Sequence, residues 1–282
     1  MPVDFDLVDA VTAANPNNVK NEDAYFFLPG ACLVLDGATG LAGPVVTGDS
    51  DGHWFVNRFQ FHAQSAAGPG MDLAAVIATA VAAAGGDLEA ETDTELPAYS
   101  MPSAGLIALD CRDGEAVLYR LGDCRAYIVR DGSVERPFGD SPLEALDRRS
   151  IAALRDAMAT GLSRDEARQS ILPMLREHRS LMNAEGGYGV LSVQPGCIGY
   201  LERQRCRLSR GDHVLLMTDG FAAAIDGYGA YTVEEAVETM RRQASSEIIR
   251  RLRDIEIADS NLATHPRLKQ FDDATAVLLR RR

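Results

Sequence analysis

The chain has 282 residues, with 28 basic and 41 acidic side chains, a formal charge of −13, 46% hydrophobic residues and 24% charged ones. That composition is ordinary for a globular protein and excludes an intrinsically disordered one. The sign of the charge argues against nucleic acid and anionic membranes as partners, because phosphate backbones and acidic lipids need a basic face. The first nine residues, MPVDFDLVD, lack the basic and apolar regions of a signal peptide. No apolar run reaches the roughly 18 residues of a membrane span; the longest, Ala74 to Ala84, reads as a buried or amphipathic helix. Cys32, Cys111, Cys124, Cys197 and Cys206 are scattered, with no C-x-x-C pair. That pattern fits reduced thiols in a cytoplasmic protein and not a zinc site.

In chain order, Ala24–Leu28 and Ala31–Leu35, joined by Pro29-Gly30, read as a β-hairpin. Leu73, Val76, Ile77, Ala80, Val81 and Ala84 recur at helical spacing, and Gly85-Gly86 is expected to stop that helix. From Ser103 to Val134 the runs Ala104–Leu109, Ala116–Leu121 and Arg125–Arg130 read as an antiparallel meander, with turns at Arg112-Asp113-Gly114 and Asp131-Gly132. Ser141 to Met182 is helical: Leu143, Leu146, Ile151, Leu154 and Met158 come first, then a run capped by Ser163 with Glu166. Strands resume at Val190–Val193, Cys197–Arg207 and Asp212–Thr218. Helices are expected at Thr232–Ala244 and Ser246–Leu262, and a last strand at Ala274–Arg280. Arg280-Arg281-Arg282 is expected to fray in solvent. Hairpins with helices grouped between them favour an α+β fold with antiparallel sheets over a parallel βαβ one.

Four of these strands end or begin on acids: Asp36-Gly37, Gly122-Asp123, Asp219-Gly220 and Asp272-Asp273. One such Asp is ordinarily a turn former. If several converge, their charges repel and raise one another's pKa, which a hard cation such as Mg²⁺ or Mn²⁺ relieves through oxygen ligands.

The motifs Asn21-Glu-Asp-Ala24, Val34-Leu-Asp-Gly37, Leu121-Gly-Asp-Cys-Arg-Ala-Tyr127, Leu216-Met-Thr-Asp-Gly-Phe221 and Asp272-Asp-Ala-Thr-Ala-Val277 occur in this order. Together they resemble the metal-dependent serine/threonine protein phosphatases of type 2C, the PPM family, in its bacterial form. The resemblance runs from about Asn15 to Leu279 and is poorest at 38–70 and 139–187. It implies a single domain over 1–282, a four-layer αββα sandwich, with a helical insertion or flap at about 139–190. It implies two Mg²⁺ or Mn²⁺ ions, with Asp36 bridging them, the Gly37 carbonyl on one, and Asp219 and Asp272 as further ligands. Asp123 resembles the ligand of a third, weaker ion. Glu22 and Asp23 resemble acids that hold metal-bound water. The implied catalysis acts through metal-bound water, and the implied partner is a phosphoserine or phosphothreonine protein.

Two positions depart from the family pattern. Many members carry Arg three residues before Asn-Glu-Asp, where this chain has Asn18; Lys20 is the nearest cation and a weaker phosphate grip. Where eukaryotic members often carry His after Asp-Gly, this chain has Ala38, with Thr39 as the next hydroxyl. His53 and Trp54 read as packing or helix capping, and Met182–Gly189 as a Gly-rich turn at the flap. Two alternatives stand beside a protein phosphatase: a non-enzymatic phosphoprotein-binding module of the same fold, and a phosphatase for small metabolites.

Overall fold

Two antiparallel sheets face each other across an apolar layer. One has the order β1 (Phe5–Ala13), β11 (Ala274–Arg281), β10 (His213–Met217), β6 (Arg125–Arg130), β7 (Ser133–Glu135). The other has the order β2 (Asp23–Leu28), β3 (Ala31–Ala38), β4 (Ser103–Arg112), β5 (Glu115–Leu121), β9 (Glu202–Cys206), with β8 (Leu191–Ser192) pairing β4. The computed structural model describes residues 4–282 apart from 47, 49, 69, 93–94 and 113–114. The turn expected at Asp113-Gly114 therefore lies outside the described residues.

Each central strand is buried on both faces, which is why it reads as a continuous apolar run. Alternate residues point opposite ways. On β3, Cys32 and Val34 face the other sheet, while Ala31, Leu33 and Leu35 face helices. On β10, Val214 and Leu216 face inward, while Leu215 and Met217 face a second helical layer. Helices α1 (Asp51–Ala66) and α2 (Leu73–Glu91) cover the β2–β9 sheet. Helices α5 (Asp219–Ala222), α6 (Val233–Arg241) and α7 (Ser245–Ala258) cover the other. The result is the αββα sandwich expected from the sequence. Between β7 and β8 run α3 (Pro142–Ala159) and α4 (Arg164–Ser180), each opened by a capping box, Ser141 with Glu144 and Ser163 with Glu166. Leu154, Ala167, Ile171 and Leu175 join these two helices, and Leu41 and Leu268 pack on them from outside.

Several local expectations are corrected. Gly85-Gly86 does not stop α2, which continues to Glu91. A Cβ at Gly85 would lie 2.5 Å from the Val193 carbonyl oxygen, so this glycine admits a neighbouring backbone mid-helix. At 19 residues and a mean hydropathy of 1.5, α2 is long and apolar enough to cross a membrane. Its Leu73, Val76, Ile77, Ala80 and Val81 are buried in the core. The strand expected from Cys197 begins at Glu202, because Pro195–Tyr200 form a 3₁₀ turn in which Pro195 cannot donate to a ladder. Arg280–Arg282 do not fray. Arg280 and Arg282 pair with Asp6 at 2.9 and 2.7 Å, and Arg281 pairs with Asp4 at 2.8 Å.

Candidate functional site

The acids meet where the gap between the sheets ends. On β3 the inward-facing series Cys32, Val34 continues to Asp36. Asp36 is opposite Asp23 of β2 on one side and Gly105 of β4 on the other. A Cβ at Gly105 would lie 2.9 Å from Cys124 Sγ, 3.3 Å from Asp36 Cβ and 3.4 Å from Asp123 Oδ1, so only glycine leaves room for these two carboxylates. From the facing sheet comes Thr218, which follows β10 and donates from Oγ1 to Asp23 Oδ2 at 2.8 Å. Asp219 then opens α5, and its backbone N–H donates to Asp36 Oδ2 at 3.4 Å. A Cβ on Gly220 would lie 1.9 Å from the Asp273 carbonyl oxygen, so α5 meets the Asp272-Asp273 pair only because residue 220 has none.

The structure thus brings together Asp23, Asp36, Asp123, Asp219 and Asp272. Burial, then the charges of Asp219, Asp23, Asp123 and Asp272, holds Asp36 well above the usual carboxylate range. Burial and then Asp219 raise Asp123 well above it. Burial and then Asp273 do the same to Asp23, and burial and then Asp272 raise Asp219.

Other expected residues lie around this group. Asp273 accepts from the backbone N–H of Asn15 at 2.6 Å and of Glu22 at 2.8 Å, fastening the segment before β2. Glu22 turns to the start of α1, where its Oε1 accepts from Thr39 Oγ1 at 2.5 Å and from Ser50 Oγ. Thr39 Oγ1 in turn accepts from the Gly52 N–H at 3.0 Å. His53 Nδ1 is bonded to the Asn21 carbonyl at 2.6 Å. The Gly37 N–H donates to the Glu22 carbonyl at 3.1 Å. In the Gly-Asp-Cys-Arg-Ala-Tyr motif, Arg125 and Tyr127 both hold Asp226, fixing the chain that follows Asp219. Asp272 Oδ1 accepts from Lys269 Nζ at 3.0 Å. Asn18 and Lys20 line a cleft of about 760 Å³ with Glu22, Ala38, Thr39 and Asp147. A smaller cleft of about 260 Å³ is lined by Asp147, Asp219, Lys269 and Asp272.

Four contributors went unread in the sequence. Asp147 of α3 borders both clefts; burial, then Asp219, raises its carboxyl to about 7. Its sequence neighbours are charged helix residues, so only the fold marks it. Thr218 and Asp273 stand inside the motifs, but only the fold shows what each of them holds. Arg179, in the last turn of α4, left no signal in the sequence.

Among the described residues, no three Asp, Glu, His or Cys side chains are drawn together closely enough to hold a cation as they stand. The donor chemistry nonetheless fits a hard divalent ion. The clustered donors are carboxylate oxygens, mutual repulsion opposes their joint ionisation, and buried Asp23 Oδ1 has no hydrogen-bond partner.

Among curated proteins none matches the sequence significantly. Solved structures do match in fold. The Ser-Thr phosphatase MsPP of Mycobacterium smegmatis, bound to cacodylate, is 19% identical with a TM-score of 0.57, covering 98% of this chain and 99% of its own. The catalytic domain of PstP, bound to two manganese ions, is 17% identical with a TM-score of 0.55, covering 98% and 96%. Stp1 of Staphylococcus aureus is 13% identical with a TM-score of 0.54, covering 100% and 98%. The family described as protein phosphatase 2C matches residues 14–255. With that match spanning the acid-bearing ends of β3, β5 and β10, the chain belongs to the protein phosphatase 2C family.

Proposed function

We propose that this protein hydrolyses phosphoserine and phosphothreonine esters on proteins, using Mg²⁺ or Mn²⁺. The observation that carries the reading is the group of mutually repelling carboxylates, buried Asp23 with half-buried Asp36, Asp123 and Asp219, at the end of the sheet gap. Asp36, Asp219, Asp272 and the Gly37 carbonyl would hold two ions, and Asp123 a third. When bound, such ions supply positive charge for the phosphoryl oxygens and acidify a water.

The chain's own groups supply the frame. Thr218 fixes one oxygen of Asp23 and leaves Oδ1 unpaired toward a ligand or water. Asp273 holds the Asn15–Glu22 segment, and with it one wall of the cleft. Arg125 and Tyr127 hold Asp226 and so the path of the chain after Asp219. Helices α3 and α4 wall the cleft on the outer side and restrict what enters it. Five unpaired cysteines, four of them buried, support a reducing, cytoplasmic setting.

The test is hydrolysis of a chromogenic phosphomonoester with Mn²⁺, with EDTA, and by Asp36→Asn. Turnover that needs Mn²⁺ and is lost in the variant is expected. Turnover equal in EDTA, or equal in Asp36→Asn, sinks the reading.

A further inference from the structure

The family's usual phosphate-gripping arginine is replaced here by Asn18, and Asn18 lines the large cleft without supplying a charge. Three guanidiniums, of Arg164, Arg168 and Arg179, line the same cleft, and of these Arg179 alone is bonded to Ala38 and Ser103 at the strand ends near Asp36. We propose that Arg179, delivered from the last turn of α4, is the residue that grips the substrate's phosphoryl group. The proposal rests on the phosphatase reading above.

Three observations carry it. First, the guanidinium is anchored at the end of β3 that carries Asp36, with Glu22 the acid that acts on it. Arg179 Nη2 donates to the Ala38 carbonyl at 3.1 Å, the Met101 carbonyl at 3.0 Å and Ser103 Oγ at 3.1 Å. Ala38 ends β3, two residues beyond Asp36, and Ser103 opens β4, two residues before Gly105. Second, its donors are not used up. All of its bonds to described residues come from Nη2, and the buried Nε has no partner. Nη1 makes no hydrogen bond to a described residue, and Arg179 lines the cleft. An arginine serving only as a strut is expected to be satisfied by its struts. Arg176, one turn earlier, differs at Nε, which is engaged. Both its Nε and Nη2 donate to the Leu41 carbonyl, at 3.2 and 3.1 Å, and its guanidinium stacks on Tyr99. Third, the surroundings suit an anion. In a chain of net charge −13, this cleft gathers Lys20, Arg164, Arg168, Arg179 and Lys269 against two acids, Glu22 and Asp147. A side chain whose Nη2 is held among three acceptors has already lost much of its rotamer freedom, so a charge-assisted bond to a phosphoryl oxygen carries little further entropic cost.

The experiment compares the parent with Arg179→Met, Arg179→Lys and Arg176→Met in Mn²⁺. It measures KM for a phosphomonoester, inhibition by inorganic phosphate, calorimetric phosphate binding, and Tm. Arg179→Met is expected to weaken substrate and phosphate together by about 10- to 100-fold. Arg179→Lys, which keeps the charge, is expected to fall between it and the parent. Arg176→Met is expected to lower Tm and leave phosphate binding unchanged. Equal phosphate affinity in Arg179→Met and the parent overturns the proposal, as does an equal loss in Arg176→Met. If Arg179→Met does not fold, Arg179→Lys decides: unchanged phosphate affinity overturns, a loss without a matching Tm change supports. If the parent shows no turnover, the phosphatase reading falls. The calorimetric comparison still reports on Arg179: phosphate binding lost in the variant supports its role, and binding retained overturns it.

Discussion

Asp23 of β2 lies directly opposite Asp36 of β3, two carboxylates on one sheet face with no cation from either strand between them. Like charges in a cross-strand pair oppose pairing, so this end of the sheet is held against its own electrostatics. Asp36→Asn removes the charge and keeps the shape. In EDTA the variant is expected to melt above the parent, by roughly 1 kcal/mol or about 2 °C. Scanning calorimetry checks this, and an equal or lower Tm contradicts it.

Asp147 makes stability depend on pH. Burial and Asp219 hold its carboxyl up at about 7 in the folded state, against 3.8 ordinarily. The folded protein therefore binds this proton more tightly than the unfolded chain does. Its contribution is fully present below the unfolded pKa and is lost as pH rises through about 7. Asp147→Asn, neutral throughout, is expected to match the parent at about pH 4 and to exceed it at about pH 8 by roughly 1 kcal/mol. Urea unfolding across that range measures it; parallel curves for the two proteins contradict it.

Lys269 occupies an oxygen of Asp272 that the proposed cation would use. Its ammonium lies 3.0 Å from Asp272 Oδ1, in a pair whose lysine side chain is 50% exposed. Exposed pairs contribute little, so Lys269→Met is expected to change stability by less than about 1 kcal/mol. It also frees a carboxylate oxygen, so Mn²⁺ should bind more tightly. Calorimetric titration with Mn²⁺ gives the answer, and weaker binding in the variant argues against competition.

Gly220 admits no side chain. With the Asp273 carbonyl 1.9 Å from where a Cβ would sit, Gly220→Ala must push α5 away from the Asp272-Asp273 segment. A loss of about 3 kcal/mol is expected, at the upper end for overpacking because the obstacle is backbone. Chemical denaturation tests it. A variant of parental stability would show that α5 shifts freely.

The layered fold was legible because its central strands are apolar on both faces. Runs such as Ala31–Leu35 and Val214–Met217 have little other use. The four strand-end acids were legible for the same reason, since each interrupts such a run. β1 was not. Among its nine residues only Phe5 is buried, and its partner β11 lies at the other end of the chain, so no local pattern announces the pairing. α1 did carry a signal: the Ser50 cap followed by Phe55, Phe59 and Ala63 on one face. That signal sits where the family resemblance is poorest, and His53 and Trp54 beside it carry no helical pattern of their own. Arg179 was beyond reach, because an arginine in a charged helix becomes distinctive only once Ala38, Met101 and Ser103 are known to surround it.

β1 and β11 run side by side, with Phe5 beside Arg281 and Ala13 beside Ala274. Ala274 follows Asp272-Asp273 directly, so Phe5 and Arg281 mark the opposite edge of the sheets. Eight residues at about 3.3 Å each separate the two edges by roughly 25 Å. Anything fused to either end of the described chain hangs from the edge remote from the carboxylates. A surface tether or a bulky tag at either point is therefore expected to leave the cleft open to a protein as large as this chain itself.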